Sequence, residues 1–508
     1  MRHVIGIDLG TTLAKCAIYN QEGRAVAEAS QEMHIDYPGA GLAEQNAEDF
    51  YTVTCELLKQ SLQKADIDKK SIAAISIDSQ MGGIMSIDKN YNPVTYYDTP
   101  LDSRSAAENI SMHENFGDLI IEKNGSYSTY GNKILYWKKK NEWRDIYKFI
   151  QPSAFVSGRL AGLSGDMAYM DESFICFSGL ADLKNSQWSE ELCKKLDVDI
   201  KKLPGIVKST EIIGTITKKA SQDTGLPEGV PVCAGCGDQS AGFIGAGITE
   251  NGQMVDVSGT ACILGACIDE YRFDKKHKTL ACMKSALGSN YYLISVVLAG
   301  RTHKWFVDEF LNEEKMQAKS KGVNAYDYLD DMAKDITPGS DGLVAIDYLQ
   351  GRFFPPNPSI KGLFIGHTWA HKKIHFYRAI LESIAYDHYL TREIIKELVP
   401  GLKTDIVTAI GSAAKSSLWM QIKADILQMP YQNLFRSDLS TLGSAIIAGY
   451  AANLFVDFKS DLKRIISIDR KIFPLKDGNK QYQKYIKIYN ELFFALKDIY
   501  KKLSEKGD

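Results

Sequence analysis

Two segments of this 508-residue chain share one local pattern, and that pattern constrains the fold more than any other feature of the sequence. Residues 4–19 and 253–264 each read as a β-strand, a bend that contains Gly-Thr, and a second β-strand. Such a bend can present backbone N–H groups and hydroxyls to a phosphate group. Because one hairpin opens each half of the chain, the pair predicts a duplicated α/β fold that holds a nucleotide between its halves. The alternative is that two ordinary hairpins resemble each other by chance.

The length of the chain is too great for one typical core, so two large domains are expected. A formal net charge of -3 gives no reason to expect nucleic acid or a membrane surface as a partner. No apolar run is long enough to span a bilayer, and the N-terminus lacks the features of a signal peptide. The nine scattered cysteines fit free thiols in a reducing compartment. These observations predict a cytoplasmic protein and leave its oligomeric state open, a homodimer included.

Asp238 lies at a predicted junction between a buried strand, residues 230–234, and a closely packed helix, residues 240–247. Open α/β sheets place ligands at such junctions, and the flanking Gly235 and Gly237 allow a substrate to approach the backbone. Asp238 is therefore either a catalytic base or the N-cap of the helix, because aspartate is a favoured capping residue. Its position between the two hairpins favours the base, and capping is left open as a second role of the same carboxylate.

Four further segments place polar or small residues where predicted strands end. The first bend, residues 8–12, offers a carboxylate and two Thr hydroxyls to a phosphate and its metal ion. Residues 78–83 and 102–104 follow apolar strands and are candidates either for substrate contacts or for solvated loops. Residues 411–416 form a small-residue bend that suits either a nucleoside face or the close packing of a strand and a helix.

Two patterns that could indicate metal or redox chemistry are weaker. Cys233 and Cys236 form a C-x-x-C without a second pair in a predicted buried strand, which disfavours redox or zinc chemistry. His367, His371 and His375 recur every four residues, but they bracket a helix start with no carboxylate among them, which favours structural roles. Near the C-terminus, a docking helix is predicted to have an apolar face made of Tyr485, Tyr489, Leu492, Leu496 and Ile499.

Taken in order, these motifs resemble those of the FGGY family of carbohydrate kinases, within the actin-like ATPase superfamily, over residues 4–452. Residues 7–12 with Lys15 are similar to the family's first phosphate loop, and residues 258–260 are similar to its second. Residues 235–247 resemble the segment that carries the catalytic aspartate. The remaining matches are a C-terminal signature at Gly362, Phe364, Gly366, His371, Arg378, Ala379 and Glu382, an adenosine motif at 411–425, and the helix that follows it at 442–445.

Within the family, the motifs are most similar to those of xylulokinase and related pentulose kinases, with five departures. Gly82 stands where the Gln-Met-His-Gly motif has His, and Pro100 replaces the Trp of the Trp-x-Asp-x-Arg motif. Both of these departures fall on sugar-facing positions. Arg352 stands where Gly-Glu-Arg has Glu, and Ser412 and Ala413 replace two glycines of the adenosine loop.

The resemblance implies an α/β fold of two actin-like (ribonuclease H-like) domains, residues 1–248 and 249–508, with a nucleotide and sugar cleft between them. It implies transfer of the γ-phosphate of ATP to a hydroxyl of a small ketose, D-xylulose or a related pentulose, with another polyol or sugar acid as the alternative. ATP and Mg²⁺ are the implied cofactors. The implied site residues are Asp238 as general base; Asp8 for Mg²⁺; Gly10, Thr11, Thr12, Lys15, Gly259, Thr260, Gly411, Ser412 and Ala413 for the nucleotide; and Gln80, Met81, Asp102, Asp238 and Gln239 for the acceptor.

Two other classes of function remain open on the same fold. An actin-like or chaperone-like ATPase would use ATP to drive motion, and a sugar-binding regulator would have lost catalysis. The polar strand ends at residues 78–83 and 102–104 argue against the ATPase. The presence of both Asp8 and Asp238 argues against the regulator.

Overall fold

The structure is a computed structural model that describes residues 2–504 with the exception of residues 260, 298, 353 and 437. Each half of the chain builds a seven-stranded mixed β-sheet with helices around it. None of the helices within this described part of the chain is both long and apolar enough to cross a bilayer.

The first half places its sheet at the start of the chain. All seven residues of its first strand are buried, which is typical of a strand that is covered on both faces. The strands are β1 His3–Leu9, β2 Leu13–Asn20, β3 Ala25–Glu32, β4 Glu44–Gln45, β5 Ile72–Ser79, β6 Met85–Ile87, β7 Tyr97–Asp98, β8 Lys148–Ile150, β9 Tyr169–Asp171, β10 Ala181–Asp182, β11 Gln187–Trp188, β12 Gly205–Val207, β13 Ile212–Thr215, β14 Pro231–Cys233 and β15 Cys236–Gly237. The helices are α1 Ala47–Lys64, α2 Ala106–Asn124, α3 Gly131–Trp137, α4 Pro152–Ala161, α5 Glu190–Lys195, α6 Lys218–Thr224 and α7 Asp238–Gly245.

The second half begins a new sheet directly after α7. Its strands are β16 Met254–Ser258, β17 Cys262–Ile268, β18 Ala281–Lys284, β19 Tyr291–Val297, β20 Val344–Ile346, β21 Leu363–Ile365, β22 Val407–Ile410, β23 Tyr431–Leu434 and β24 Ile468–Ile472. Its helices are α8 Ala299–Phe310, α9 Asn312–Ser320, α10 Ala325–Ala333, α11 Lys373–Leu398, α12 Ser417–Leu427, α13 Ser440–Ala451, α14 Phe458–Ile465, α15 Gly478–Ala495 and α16 Lys497–Ser504.

The two sheets have the same topology, which confirms the predicted duplication. The first sheet runs β3-β2-β1-β5-β14-β13, with β15 also paired to β5, and the second runs β18-β19-β17-β16-β22-β23-β24. From β3 and from β19 onward, the successive pairings are antiparallel, antiparallel, parallel, parallel and antiparallel in both sheets. Both predicted hairpins, β1–β2 and β16–β17, therefore occupy equivalent places in two actin-like domains.

Helix α13 belongs to the second half of the sequence, but it packs on β1 and β5 of the first sheet and on α7. The approach is so close that a Cβ atom on Gly6 would overlap the Thr441 carbonyl oxygen, and one on Gly443 would overlap the Ala241 carbonyl oxygen. Tyr19 and Thr441 also share a buried hydrogen bond of 2.8 Å between their hydroxyls. The predicted domains are residues 1–248 and 249–508, and α13 belongs to the second in sequence but packs on the first.

Two predictions of local structure are wrong. The helix after the β15 strand begins at Asp238 itself with Gly237 as its N-cap, so Asp238 is not the capping residue. The terminal docking helix is two helices, because α15 ends at Ala495 with Leu496 as its C-cap. Tyr489 and Leu492 are buried as predicted, but after this break the buried residue is Tyr500, and Ile499 is 51% exposed.

The close contact of α13 can be tested with a pair of glycine substitutions. Gly443→Ala is expected to lower the free energy of unfolding by ~1–3 kcal/mol or more, because the added methyl group meets backbone atoms that cannot move away. Denaturant unfolding of the full chain measures this loss.

The matched control is Gly117→Ala in α2, where the nearest atom to an added Cβ is 3.9 Å away. This variant is expected to be neutral or stabilised by ~0.5–1 kcal/mol, because alanine replaces glycine within a helix. Equal stability of the two variants would contradict the packing described for α13.

Candidate active site

Three carboxylates meet at the ends of neighbouring strands in the first sheet. Asp8 of β1 is the register partner of Asp78 in the parallel strand β5. On the other side of β5, Cys236 is the register partner of Asp78, and Asp238 follows two residues later as the first residue of α7. The carboxyl ends of parallel strands are the usual ligand position in open α/β sheets. The sequence predicted individual roles for Asp8 and Asp238, whereas Asp78 was only part of the candidate segment 78–83.

The pKa values of all three carboxyls are raised, mainly because burial disfavours their charged forms. The pKa of Asp8 rises to about 6, with Lys15 opposing the increase. Burial and the charge of Asp8 raise the pKa of Asp78 well above its usual range. Burial, with a further contribution from Asp8, raises the pKa of Asp238 to about 7. Such shifts are typical of sites that use carboxyls as proton acceptors or cation ligands.

One carboxylate oxygen of Asp78 and one of Asp238, both buried Oδ1 atoms, have no hydrogen-bond partner in the described part of the chain. Buried polar atoms are normally satisfied, so these two oxygens indicate a missing donor or cation. The described residues contain no group of three or more protein ligands arranged to hold a metal ion. The two unpartnered carboxylate oxygens fit Mg²⁺, because this ion keeps several waters and is held by one or two carboxylates together with phosphate oxygens.

A cleft of about 1190 Å³ is lined by both halves of the chain, and it begins at the bend that follows Asp8. Thr11 and Thr12 line it from the first hairpin, and Gly259, Ser412 and Ala413 line it from the second half. Gly10 precedes Thr11 in the first bend, and Gly411 precedes Ser412. Thr260, predicted to bind phosphate, lies outside the described residues.

The second phosphate bend and the nucleoside bend are in direct contact. Gly411 has a φ of 93°, and a Cβ atom there would lie 2.5 Å from the carbonyl oxygen of Ser258. Glycine is therefore needed at this position both for its backbone conformation and for its close approach. A buried lysine fixes the strand that leads into this bend. The Lys423 ammonium donates to Asp256 at 2.9 Å and to the Ser258 hydroxyl at 2.7 Å.

Part of the cleft has an aromatic wall, and among its residues only Trp419 falls within a predicted motif, the adenosine motif at 411–425. The His303 ring lies 5.3 Å from Tyr326, 5.1 Å from Tyr377 and 5.4 Å from Trp419, measured between ring centroids, and all four residues line the cleft. Asp330 accepts hydrogen bonds from Tyr377 at 2.8 Å and from the Ser416 hydroxyl at 2.6 Å. These residues come from α8, α10, α11 and α12, so no local sequence motif brings them together. The rings are inclined to one another by 45–51°, and together they form an aromatic wall on the side of the cleft that the second half of the chain builds.

Family models match both halves of the chain. The N-terminal domain model of the FGGY family of carbohydrate kinases matches residues 3–245, and the C-terminal domain model of the same family matches residues 255–452. The chain belongs to the FGGY family of carbohydrate kinases.

Relatives with different acceptors match the chain over almost its whole length. A xylulose kinase of Bacillus subtilis (strain 168) is 28% identical over 506 residues, covering 98% of each chain. A gluconokinase of the same organism is 28% identical over 517 residues, covering 99% of this chain and 98% of its own. The crystal structure of a ligand-bound xylulose kinase from Lactobacillus acidophilus has a TM-score of 0.88 at 24% identity and covers 99% of this chain and 100% of its own. This FGGY chain is thus a phosphotransferase that acts on an alcohol group, and kinases of the family take the phosphate from ATP.

Five residues of this FGGY kinase were predicted to contact the acceptor, and the structure divides them into two groups. Met81 packs against Gly237, directly beside Asp238, and Gln239 carries a buried side-chain oxygen without a partner among the described residues. Asp102 instead accepts hydrogen bonds from the Ala43 N–H at 2.8 Å and from Arg104 Nε at 2.8 Å. The polar atoms of Gln80 are also occupied by protein groups.

Gln80 connects the acceptor side of the site to the first phosphate bend. Its side-chain oxygen accepts a hydrogen bond from the Thr11 hydroxyl at 2.8 Å, and its amide nitrogen donates to Gln45 at 2.6 Å. Gln45 in turn donates to the backbone carbonyl of Thr11 at 3.1 Å. In this arrangement, Gln80 positions Thr11.

Lys15 is placed beside a carboxylate and is absent from the residues that line the cleft. Its ammonium lies 3.9 Å from Asp8 Oδ2 and 3.6 Å from Asp438 Oδ1. This position offsets part of the negative charge around Asp8, and direct contact with phosphate stays a prediction.

The C-x-x-C pattern and the three histidines spaced four residues apart are not among the residues that line the cleft. Cys233 and Cys236 are completely buried free thiols, and burial raises the pKa of Cys233 to about 12. His371 accepts a hydrogen bond from the Thr368 N–H at 2.9 Å, and His375 lies 3.2 Å from a carboxylate oxygen of Asp341.

The geometry around Gln80 generates a prediction about nucleotide binding. Gln80→Met keeps the bulk of the side chain but removes both hydrogen bonds, so the Thr11 hydroxyl loses its acceptor and Gln45 loses its donor. Each net hydrogen bond contributes ~1 kcal/mol, so KM for ATP is expected to rise at least ~5-fold while KM for the acceptor changes less. Initial-rate kinetics with each substrate varied in turn measure this split. A larger effect on the acceptor KM would assign Gln80 to the acceptor instead.

Proposed function

We propose that this chain is an ATP- and Mg²⁺-dependent kinase that phosphorylates a hydroxyl of a small neutral ketose or polyol, with Asp238 as the general base. D-xylulose or a related pentulose is the first candidate for the acceptor. The observation that carries the proposal is the buried Asp238 oxygen without a partner, beside Asp8 and between two phosphate-type bends. Glycerol, erythritol, an autoinducer-type ketose and gluconate are the alternatives.

Each residue of the site would have a separate role in phosphoryl transfer. Transfer of this kind depends mainly on in-line positioning and on neutralising the charge of the phosphates. Thr11, Thr12 and Gly259 would hold the phosphates from the two halves of the chain. Asp8 would hold Mg²⁺, which supplies positive charge to the phosphate oxygens when bound. Asp238 would accept the proton of the attacking hydroxyl, and closure of the two halves would exclude water from the reaction.

The charges around the acceptor side support a neutral acceptor. Arg104 is paired with Glu44 and Asp102 at 2.5 and 2.8 Å. Lys133 is buried and donates to the backbone carbonyl of Asp98 at 3.0 Å. Both cations are thus engaged by protein groups, and binding a carboxylate acceptor would require one of them to exchange its partner.

Two of the departures from the xylulokinase pattern form one surface. A Cβ atom on Gly82 would lie 3.6 Å from Pro100 and 3.4 Å from the Thr129 hydroxyl, which is buried and has no partner among the described residues. Pro100 itself lines the cleft. The absence of a side chain at Gly82 leaves room beside the Thr129 hydroxyl, which supports an acceptor that differs in shape from D-xylulose at this end.

The thiols of the chain support a cytoplasmic location. All nine cysteines are free and buried. Unpaired cysteines in this number are typical of reducing compartments.

The role of Asp238 is tested by Asp238→Asn. A general base contributes ~10²–10⁴-fold, so kcat is expected to fall by at least ~100-fold. In the unsubstituted enzyme, kcat/KM is expected to decrease as the pH falls through about 7, because protonated Asp238 cannot accept the proton of the attacking hydroxyl. A coupled assay of ADP release across the pH range measures both quantities.

The control for this experiment is Asp145→Asn, which changes an exposed carboxylate and should leave kcat and its pH profile unchanged. If Asp238→Asn retains more than a few per cent of kcat, Asp238 is not the base. ADP release that is equally fast without any added sugar or polyol would instead support an actin-like ATPase.

The acceptor class is tested by comparing D-xylulose, D-ribulose, xylitol and glycerol with gluconate. At least one neutral acceptor is expected to have a kcat/KM ~10-fold or more above that of gluconate, because Arg104 and Lys133 are already engaged. The rate with each acceptor is measured as ADP release at a fixed concentration of ATP. A preference for gluconate would contradict the proposed neutral acceptor.

A further inference from the structure

The two phosphate bends bring no positive charge to the phosphates that they would hold. Their hydroxyls and backbone N–H groups are neutral. The Lys15 ammonium lies 3.9 Å from Asp8 and 3.6 Å from Asp438, and Lys15 is not among the residues that line the cleft. Phosphoryl transfer depends on neutralising the charge of the phosphates, so a cation that faces the cleft is expected.

Three residues with a positively charged side chain line the cleft, namely Arg301, Lys304 and Lys415. Lys304 is paired with Asp308, one turn further along α8. Arg301 and Lys415 are exposed, and neither has an ion pair or a side-chain hydrogen bond in the part of the chain that the structure describes. Their charges are therefore available to a ligand in the cleft.

The second sheet places Arg301 next to the second phosphate bend. Val297, the last residue of β19, is the register partner of Cys262, the first residue of β17 after that bend. Helix α8 begins two residues after Val297. Gly259 in the bend and Gly300 in the first turn of α8 both line the cleft. The first turn of α8 therefore lies beside the bend.

The direction of the Arg301 side chain also favours the bend. Side chains on an α-helix lean toward the N-terminus of the helix and cover the preceding turn. Because Arg301 is the third residue of α8, no preceding turn lies beneath its side chain, which can extend past the end of the helix. The N-terminus of α8 contributes a partial positive charge at the same place. Arginine matches phosphate through two parallel N–H···O hydrogen bonds, so a phosphate group is the best partner for Arg301.

A smaller cavity of about 240 Å³ is also lined by Arg301, but it offers the guanidinium no accessible carboxylate. Among the described residues that line this cavity, Asp347 is the one carboxylate. Asp347 is 5% exposed and forms no ion pair with Arg301 in the described part of the chain. The cleft is therefore the space in which an anion can reach Arg301.

We propose that Arg301 binds phosphate oxygens of the nucleotide and is the positive charge that the second half of the chain brings to phosphoryl transfer. The inference rests on the proposed kinase function and adds to it a residue on the side of the phosphate donor. Because the guanidinium contacts phosphate and neither the base nor the ribose, its contribution is present for ADP and ATP and absent for adenosine.

The test measures nucleotide affinity by isothermal titration calorimetry of the full chain, with Mg²⁺ and without any acceptor. The titrants are ADP, the non-hydrolysable analogue β,γ-imido-ATP, and adenosine. Arg301→Gln removes the charge and is expected to raise Kd for ADP and for the analogue at least ~10-fold, while Kd for adenosine changes less than ~2-fold. Arg301→Lys keeps the charge but loses the two parallel hydrogen bonds, and it is expected to recover part of the lost affinity.

The matched control is Arg144→Gln, which removes an exposed arginine that does not line the cleft and should leave all three Kd values unchanged. Lys415→Met removes the other unpaired cation of the cleft, and it is expected to weaken ADP less than Arg301→Gln does. Adenosine also serves as a folding control, because Arg301→Gln binds it normally only if the nucleoside side of the cleft is intact.

The proposal is overturned if Kd for ADP stays within ~2-fold in Arg301→Gln, if adenosine is weakened as much as ADP, or if Lys415→Met causes the larger loss. The readout needs no acceptor and no turnover, whereas the kinase proposal is tested by acceptor-dependent release of ADP. A chain that binds ADP through Arg301 but phosphorylates no acceptor would keep this inference and lose the proposed function. A chain that phosphorylates an acceptor with ADP affinity unaffected in Arg301→Gln would do the reverse.

Discussion

The burial of three carboxyl groups at one edge of the first sheet is the constraint on which the site depends. Asp8, Asp78 and Asp238 are brought together by the parallel pairing around β5, and each raises the energy of charging its neighbours. Lys15 offsets part of this charge, and the hydroxyl of Ser444 donates to Asp78 at 2.5 Å. The fold thus holds an acidic site whose oxygens are only partly satisfied by the protein, which is a suitable state for receiving a cation and a hydroxyl donor.

The duplicated topology places one hairpin bend on each side of the cleft, as the proposed binding of phosphate from two sides requires. Equivalent hairpins in the two sheets present Thr11 and Thr12 on one side of the cleft and Gly259 on the other. The second hairpin is braced by the fully buried pair of Asp256 and Lys423. At the first hairpin, Lys15 lies 3.9 Å from Asp8 and is partly exposed, and the amides of Gln45 and Gln80 also support the bend. Similar backbones are therefore held in place by different sets of interactions.

The fold and the centre of the site could be predicted from the sequence because their signals are local. Each hairpin is a contiguous pattern, and Asp238 lies in a short strand-to-helix segment. Partners distant in the chain could not be predicted in this way. Asp102 precedes Arg104 by two residues, but its second partner is the backbone of Ala43, and Gln80 contacts Thr11 and Gln45.

Three residues of the aromatic wall, His303, Tyr326 and Tyr377, were missed for a related reason. They come from three helices, and each alone looks like an ordinary core aromatic residue, whereas Trp419 falls within the adenosine motif. Ile499 was assigned to a buried face because its spacing continues the periodicity of α15. A break in the helix at Leu496 changes which side chain faces the core, and no glycine or proline marks that break.

The position of α13 bears on how the two halves can move. The chain leaves the first sheet after α7, returns to it as α13, and leaves again before β24 joins the second sheet. Three connections therefore join the two bodies, and any opening of the cleft must be accommodated by a hinge at all of them. A helix wedged under backbone carbonyls cannot slide, so α13 travels with the first sheet and carries Ser444 with Asp78 as the cleft opens. The acidic site would then keep its shape throughout the cycle, while the nucleotide side moves relative to it.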